Sequence, residues 1–169
     1  NTIDTSIFKP TPSDFRERYG LKDKFIVLGV ANVWEDRKGL FDFYKLAEML
    51  DDKYTIVLVG LSEKQIKDLP QNIKGIQRTN SHHIILACNS CKFPAFIQKL
   101  HSKLITHRIF RIHPTYEDNY PTVNLEAQAC GTPVITYDTG GCRETIHTDS
   151  AKVVEAGNVE GLYKEITIR

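Results

Sequence analysis

Two rhythms of apolar residues alternate along the chain. Residues 24–33 (KFIVLGVANV) and 54–60 (YTIVLVG) are nearly continuous β-branched runs, the pattern of strands buried on both faces of a parallel sheet. Between them, Leu40, Phe41, Tyr44, Leu46, Ala47 and Leu50 recur at helical spacing. Further strands are expected at 73–77 (IKGIQ), near 109–113, at 132–138 (TPVITYD) and in AKVVE (151–155). Further helices are expected at 13–20, capped by Ser13 and closed by Gly20, and from Ser62 to about Asp68. Two more are expected over TVNLEAQAC (122–130), ended at Gly131, and over VEGLYKEITI (159–168). Strands alternating with helices predict an α/β fold, a Rossmann-like parallel sheet with helices on both faces. Such sheets bind ligands in the crevice beyond the carboxyl ends of their strands. Function is therefore expected in loops 31–39, 60–62, 79–83, 114–121 and 138–144.

With 169 residues, the chain has room for one domain with a real core. Residues 1–11 read as a linker and 12–169 as the domain; the opening at Asn1, in connector-like sequence, suggests a piece truncated at both ends relative to a longer protein. Its 41% hydrophobic and 25% charged residues are ordinary for a globular protein. No apolar run approaches the roughly 18 residues of a membrane span, and no basic-then-apolar leader opens the chain. A formal net charge of +1 argues for no particular partner, and nucleic acid is not expected. Cysteines Cys88, Cys91, Cys130 and Cys142 suit reduced thiols in a cytosol rather than a disulfide scaffold. A single Cys-x-x-Cys without a second pair is a poor zinc or redox signal.

One stretch is unbalanced. From Leu69 to Tyr116 there is no acid, while Lys74, Arg78, Lys92, Lys99, Lys103, Arg108 and Arg111 supply seven positive charges. Five of the six histidines, His82, His83, His101, His107 and His113, also fall here. The stretch reads either as an electropositive face toward a phosphate ligand or an anionic membrane surface, or as a solvated helix plus a strand near 109–113. The histidines lack zinc-ligand spacing.

The chemistry concentrates in PTYEDNYPTVNLEAQACGTPVITYDTGGCRETI (114–146). Acids Glu117 and Asp118 sit in a loop before a helix, and Pro121 suits the first turn of that helix. Free N–H groups at a helix start attract anions. Glu126 lies among Val123, Leu125, Ala127 and Ala129, and a half-buried carboxylate there needs hydrogen-bond donors such as sugar hydroxyls. Thr139-Gly140-Gly141 forms a flexible turn whose backbone can approach a ligand closely.

PTYEDNYPTVNLEAQACGTPVI resembles the signature of family 4 (group 1) retaining glycosyltransferases: an acid, seven residues, a Glu, then EAxACGTPVI and a Gly-Gly-x-x-Glu turn. Asp118, Glu126, Gly140, Gly141 and Glu144 occupy those positions. NTID…FKP resembles the connector into the second domain of that two-domain GT-B fold, and GVANVWEDRKGL the strand and loop that bring a Lys-Gly pair to the donor. The resemblance implies the C-terminal, donor-binding domain of a hexosyltransferase of polysaccharide or glycolipid biosynthesis. It would take a UDP- or GDP-sugar, need no metal cofactor, and act on a saccharide or lipid-linked acceptor. By position it implies that Glu126 binds the ribose hydroxyls, Asp118 faces the hexose with Glu117 as its substitute, and Lys38 with Arg37 clamps the diphosphate. Asn119, Tyr120 and Thr122 join the donor site, as do Gly140, Gly141 and Glu144. It assigns no catalytic residue with certainty to this chain, which would be inactive without an N-terminal acceptor domain. Cytoplasmic location, with peripheral association at the inner face of a membrane, goes with it. Asp stands where Glu is usual at position 118, and Asn119-Tyr120-Pro121 replaces the usual glycines. The alternative is a non-catalytic Rossmann-like module binding a protein or an anionic surface through 69–116. A sugar-nucleotide epimerase would need a Gly-x-Gly-x-x-Gly turn after the first strand, which GVANVWEDRKG lacks.

Overall fold

The computed structural model describes residues 3–10, 14–77 and 109–168. Six strands, β1 (Phe25–Val30), β2 (Tyr54–Leu61), β3 (Ile73–Gln77), β4 (Ile109–His113), β5 (Val134–Tyr137) and β6 (Lys152–Val154), form one sheet in the order β3-β2-β1-β4-β5-β6. All its pairings are parallel. Around them stand α1 (Phe15–Arg18), α2 (Leu40–Met49), α3 (Glu63–Lys67), α4 (Thr122–Ala129) and α5 (Val159–Thr167). The expected Ser13 cap, loop 79–83, Cys88, Cys91 and most of the basic stretch lie outside the described residues.

Side chains alternate across the sheet as strand geometry requires. Ile26 and Leu28 of β1 join Val57, Val59, Ile109, Phe15 and Leu21 in one core. Val27 joins Phe43, Leu46, Leu58, Ile112, Tyr137, Leu162 and Ile166 in the other, beneath α2 and α5. Two details depart from the sequence expectation. The buried face of α2 is Leu40, Phe43, Leu46 and Ala47, while Phe41 is 57% exposed; Phe43 lies three residues from Leu40 and four from Ala47, and so shares their stripe. Strand β1 ends at Val30 rather than at Val33. The chain turns there because Trp34 folds back: its Nε1 donates to the Val59 carbonyl at 2.9 Å, and its ring meets Phe43 edge-on at 5.6 Å. Gly29 makes room for this, since a Cβ there would press on Phe43, Leu58 and Trp34. Helix α3 opens on a capping box, Gln65 N to Ser62 Oγ at 3.3 Å and Ser62 N to Gln65 Oε1 at 3.1 Å.

The strand order reverses between β1 and β4. Loops leaving neighbouring strands diverge at such a switch point, and a crevice opens between them.

Candidate functional site

A cleft of about 380 Å³ lies at that point, beyond the carboxyl ends of β1 and β4. Its walls are 30–33, Arg37 and Lys38 after β1, His113 at the end of β4, and Asp118 with 120–123 on the way into α4.

Glycine 39 brings the two loops together. It adopts a left-handed conformation, φ 71°, and a Cβ there would run into the Pro114 carbonyl. The short 3-10 turn Asp36–Lys38 can therefore lie directly on the β4–α4 loop. Tyr116 N donates to the Arg37 carbonyl at 2.8 Å, and the Thr115 hydroxyl donates to the same oxygen at 3.2 Å. Lys38 Nζ then reaches Asp118 Oδ2 at 2.8 Å, with side chains 18% and 22% exposed. His113 Nε2 lies 3.4 Å from the same oxygen, a long and weak donation to it. The His113 imidazole and then the Lys38 ammonium hold the Asp118 carboxyl well below the usual carboxylate range, against the effect of burial. Burial pushes His113 below its ordinary value and outweighs the nearby carboxylate, so at neutral pH the imidazole is uncharged. The cleft thus holds one ion pair beside a neutral imidazole.

Helix α4 starts at the cleft. Pro121 occupies the cap position, one residue before the expected place, and no side chain caps the first amides. Those N–H groups face the end where Thr122 and Val123 line the cleft. Glu126 is half-buried and lies one turn on, on the same helix face as Thr122 and Val123. The opposite face holds the 143–148 segment: Gln128 Nε2 donates to the Thr145 carbonyl at 2.7 Å, and its Oε1 accepts from His147 N at 2.8 Å.

The cleft therefore unites Arg37, Lys38, Asp118, Tyr120 and Thr122 of the expected donor residues. Arg37 turns outward, its Nε on Glu35 Oε2 at 2.7 Å. Glu117 and Asn119, the chain neighbours of Asp118, are exposed, as is Glu144; these three and Glu126 are not among the residues that line the cleft. Gly140 and Gly141 abut the acidic loop, where a Cβ would strike the carbonyls of Asp118 and Asn119; Gly141 N also donates to the Asp118 carbonyl at 3.2 Å. His113, Asn32 and Thr115 were not singled out as site residues in the sequence. The available signal was His-Pro-Thr directly after a buried strand. Of the seven cations between Leu69 and Tyr116, two are described. Lys74 donates to the Tyr19 carbonyl at 3.1 Å, and Arg111 is 1% exposed within β4, the strand expected near 109–113. Cys130 and Cys142 are free and buried. Among the described residues, no helix is long and apolar enough to cross a membrane.

The sequence profile of the glycosyl transferases group 1 family matches residues 13–168. The chain belongs to this family. It is 30% identical over 133 residues to the Campylobacter jejuni N,N'-diacetylbacillosaminyl-diphospho-undecaprenol alpha-1,3-N-acetylgalactosaminyltransferase, covering 78% of this chain and 31% of that one. It is 27% identical over 165 residues to the alpha-galactosylglucosyldiacylglycerol synthase of Streptococcus pneumoniae, covering 94% and 39%. The chain thus spans about a third of the length of these curated family members. Its fold matches the crystal structure of Anabaena HepE in complex with UDP and glucose, with TM-score 0.75, 19% identity, and coverage of 99% of this chain and 45% of that one. It also matches the C-terminal domain of a group 1 family protein from Francisella tularensis, with TM-score 0.67, 16% identity, and coverage of 99% and 87%. The Rossmann-like sheet is that of GT-B glycosyltransferases.

Proposed function

We propose that this chain is the donor-binding domain of a retaining hexosyltransferase, following a linker at 1–11 and completed by an acceptor domain outside it. The donor is a UDP- or GDP-sugar, and the acceptor a saccharide or a lipid-linked saccharide. The carrying observation is the meeting of Lys38 and Asp118 across the switch-point cleft at 2.8 Å, beside the uncapped start of α4.

Within the chain these two charges neutralise each other. An arriving diphosphate carries more negative charge than one carboxylate and competes for the ammonium. Asp118 is then left to accept hydrogen bonds from the hexose, and Glu126 from the ribose. As the bond from the anomeric carbon to the phosphate oxygen breaks, negative charge grows on the leaving diphosphate. Positioned cations and N–H groups lower that barrier, so Lys38, the α4 amides and an Arg37 released from Glu35 do the work without a divalent metal. Family members support the substrate classes: HepE was crystallised with UDP-glucose, and the two curated relatives bear names of lipid-linked products or acceptors. Peripheral contact with the inner face of a membrane follows from such an acceptor.

Calorimetry with UDP, GDP and their hexose conjugates, with and without EDTA, tests this. Binding of one base family, unchanged by the chelator, is expected; no binding by any would overturn the proposal. Glu126→Ala should weaken the nucleotide by about 1–3 kcal/mol, the worth of a hydrogen bond to a charged group. Retention is read from the anomeric configuration of the product made by the complete enzyme.

A further inference from the structure

Among the described residues, Asp42 is the carboxylate that α2 buries, 4% exposed within an otherwise apolar face. An apolar residue there would complete the stripe, and a buried charge is costly unless it is well bonded. Its Oδ2 accepts the Tyr116 hydroxyl at 2.6 Å and the Tyr137 hydroxyl at 3.1 Å, while the exposed Lys45 comes only within 4.0 Å of Oδ1. Both phenols stay protonated as donors. Burial, then Asp42, pushes Tyr116 up to about 12, and the same two causes raise Tyr137.

The two tyrosines differ in what else holds them. Tyr137 is fully buried in β5, inside the sheet, and needs no tether. Tyr116 is 45% exposed and stands in the β4–α4 loop, two residues before Asp118. Its main chain is gripped by the Arg37 carbonyl and its hydroxyl by Asp42. One short segment, 37–42, therefore holds this loop residue at both ends, and the same segment carries Lys38.

We propose that Asp42 is a positioning residue of the donor site: through the Tyr116 hydroxyl it fixes the loop bearing Asp118 against the segment bearing Lys38. The hexose side of the cleft then has a set geometry before donor arrives. This rests on the donor reading of Asp118 given above.

Tyr116→Phe and Tyr137→Phe each remove one hydrogen bond to the same oxygen, so a purely structural Asp42 predicts similar consequences for both. Positioning predicts a split. Hydrogen exchange at the Tyr116 and Gly141 amides, which are bonded to Arg37 and Asp118, should rise about tenfold in Tyr116→Phe and Asp42→Asn while β1 amides keep their protection. Affinity for the UDP- or GDP-hexose should fall about tenfold in these variants, and affinity for the bare nucleotide by less than about twofold. Tyr137→Phe should lower the melting temperature and leave both affinities and the loop exchange unchanged. Tyr116→Phe added to Asp118→Asn should cost no further hexose affinity, because the two act through one group. Equal effects of the two tyrosine variants, equal losses for nucleotide and nucleotide-hexose, or additive losses would overturn the proposal. Should the unaltered chain bind neither ligand, the donor reading fails, and exchange at Tyr116 and Gly141 alone decides whether Asp42 positions the loop.

Discussion

Asp118→Asn keeps the shape of the side chain and removes the charge that Lys38 and His113 face. The Lys38–Asp118 pair, at 2.8 Å with one-fifth exposure on each side, lies between two regimes. Exposed pairs are worth about 0–1 kcal/mol, whereas breaking a fully buried pair costs about 3–5 kcal/mol. The gross attraction of unit charges about 4 Å apart is about 4 kcal/mol at an effective dielectric near 20. Desolvation of both groups offsets much of it, and an amide oxygen still accepts one hydrogen bond from Lys38. The expected net loss is about 1–2 kcal/mol, reaching only the lower end of the usual range for a hydrogen bond to a charged group. That corresponds to a fall of about 2–8 °C in melting temperature for a domain of this size.

The pH dependence has a signature. The folded value of Asp118 is depressed, so its contribution is complete above the unfolded value and is lost as pH falls below about 4. The folded value of His113 is also depressed, so its protonation opposes folding as pH drops below about 6.5. The Asp118 carboxylate relieves part of that opposition, and the variant lacks the relief. Urea denaturation of both proteins at pH 7, 5 and 4 should therefore show a gap that holds or widens from pH 7 to 5 and begins to close at 4. No gap at pH 7, or one already closing between 7 and 5, refutes the electrostatic reading of the cleft.

Gly39→Ala places a side chain at φ 71° against the Pro114 carbonyl, and should cost at least about 2 kcal/mol in chemical denaturation. It should also weaken donor binding, because the loop carrying Asp118 is pushed off Lys38; full stability would refute the close-approach argument. Trp34 is the chain's one tryptophan, packed beside cleft residues 31–33, so its emission should change and saturate as nucleotide is titrated. Trp34→Phe removes the 2.9 Å indole donor to the Val59 carbonyl, which still accepts from Ala31 N at 3.1 Å, and should cost about 0.5–1.5 kcal/mol, measured by thermal melting.

The sheet was legible because a strand buried on both faces must be apolar throughout. IVL and IVLV in β1 and β2 say so without help from distant residues. The meeting of Lys38 and Asp118 was legible through the resemblance, which placed both in one site although 79 residues separate them. The face of α2 was read less well, since Phe41 and Phe43 are both aromatic and a ten-residue helix offers few repeats to choose between them. In sequence the glycines of 140–141 read as a flexible turn open to a ligand, yet what they approach is the main chain of Asp118 and Asn119. A backbone meeting a backbone leaves no trace in hydrophobic periodicity.

What stayed hidden has one physical cause. Apolar burial is non-directional, so its pattern can be read locally from spacing alone. Polar burial needs a named partner, and here the partners are far apart in the chain: Asp42 with Tyr116 and Tyr137, Thr115 with Arg37, His113 with Asp118. Each of these residues looks ordinary in sequence. Asp42 was nevertheless out of place, a carboxylate flanked by Phe41 and Phe43 in the stretch where α2 must bury a face. A charge where the helical period demands an apolar residue either breaks the helix or is paired from elsewhere. Helix α2 runs unbroken from Leu40 to Met49, so Asp42 had to be paired, and its partners lie on the β4–α4 loop and in β5. Chemistry-bearing residues are thus recognisable by resemblance, whereas the residues that hold them in place are recognisable by their misfit to the local hydrophobic pattern.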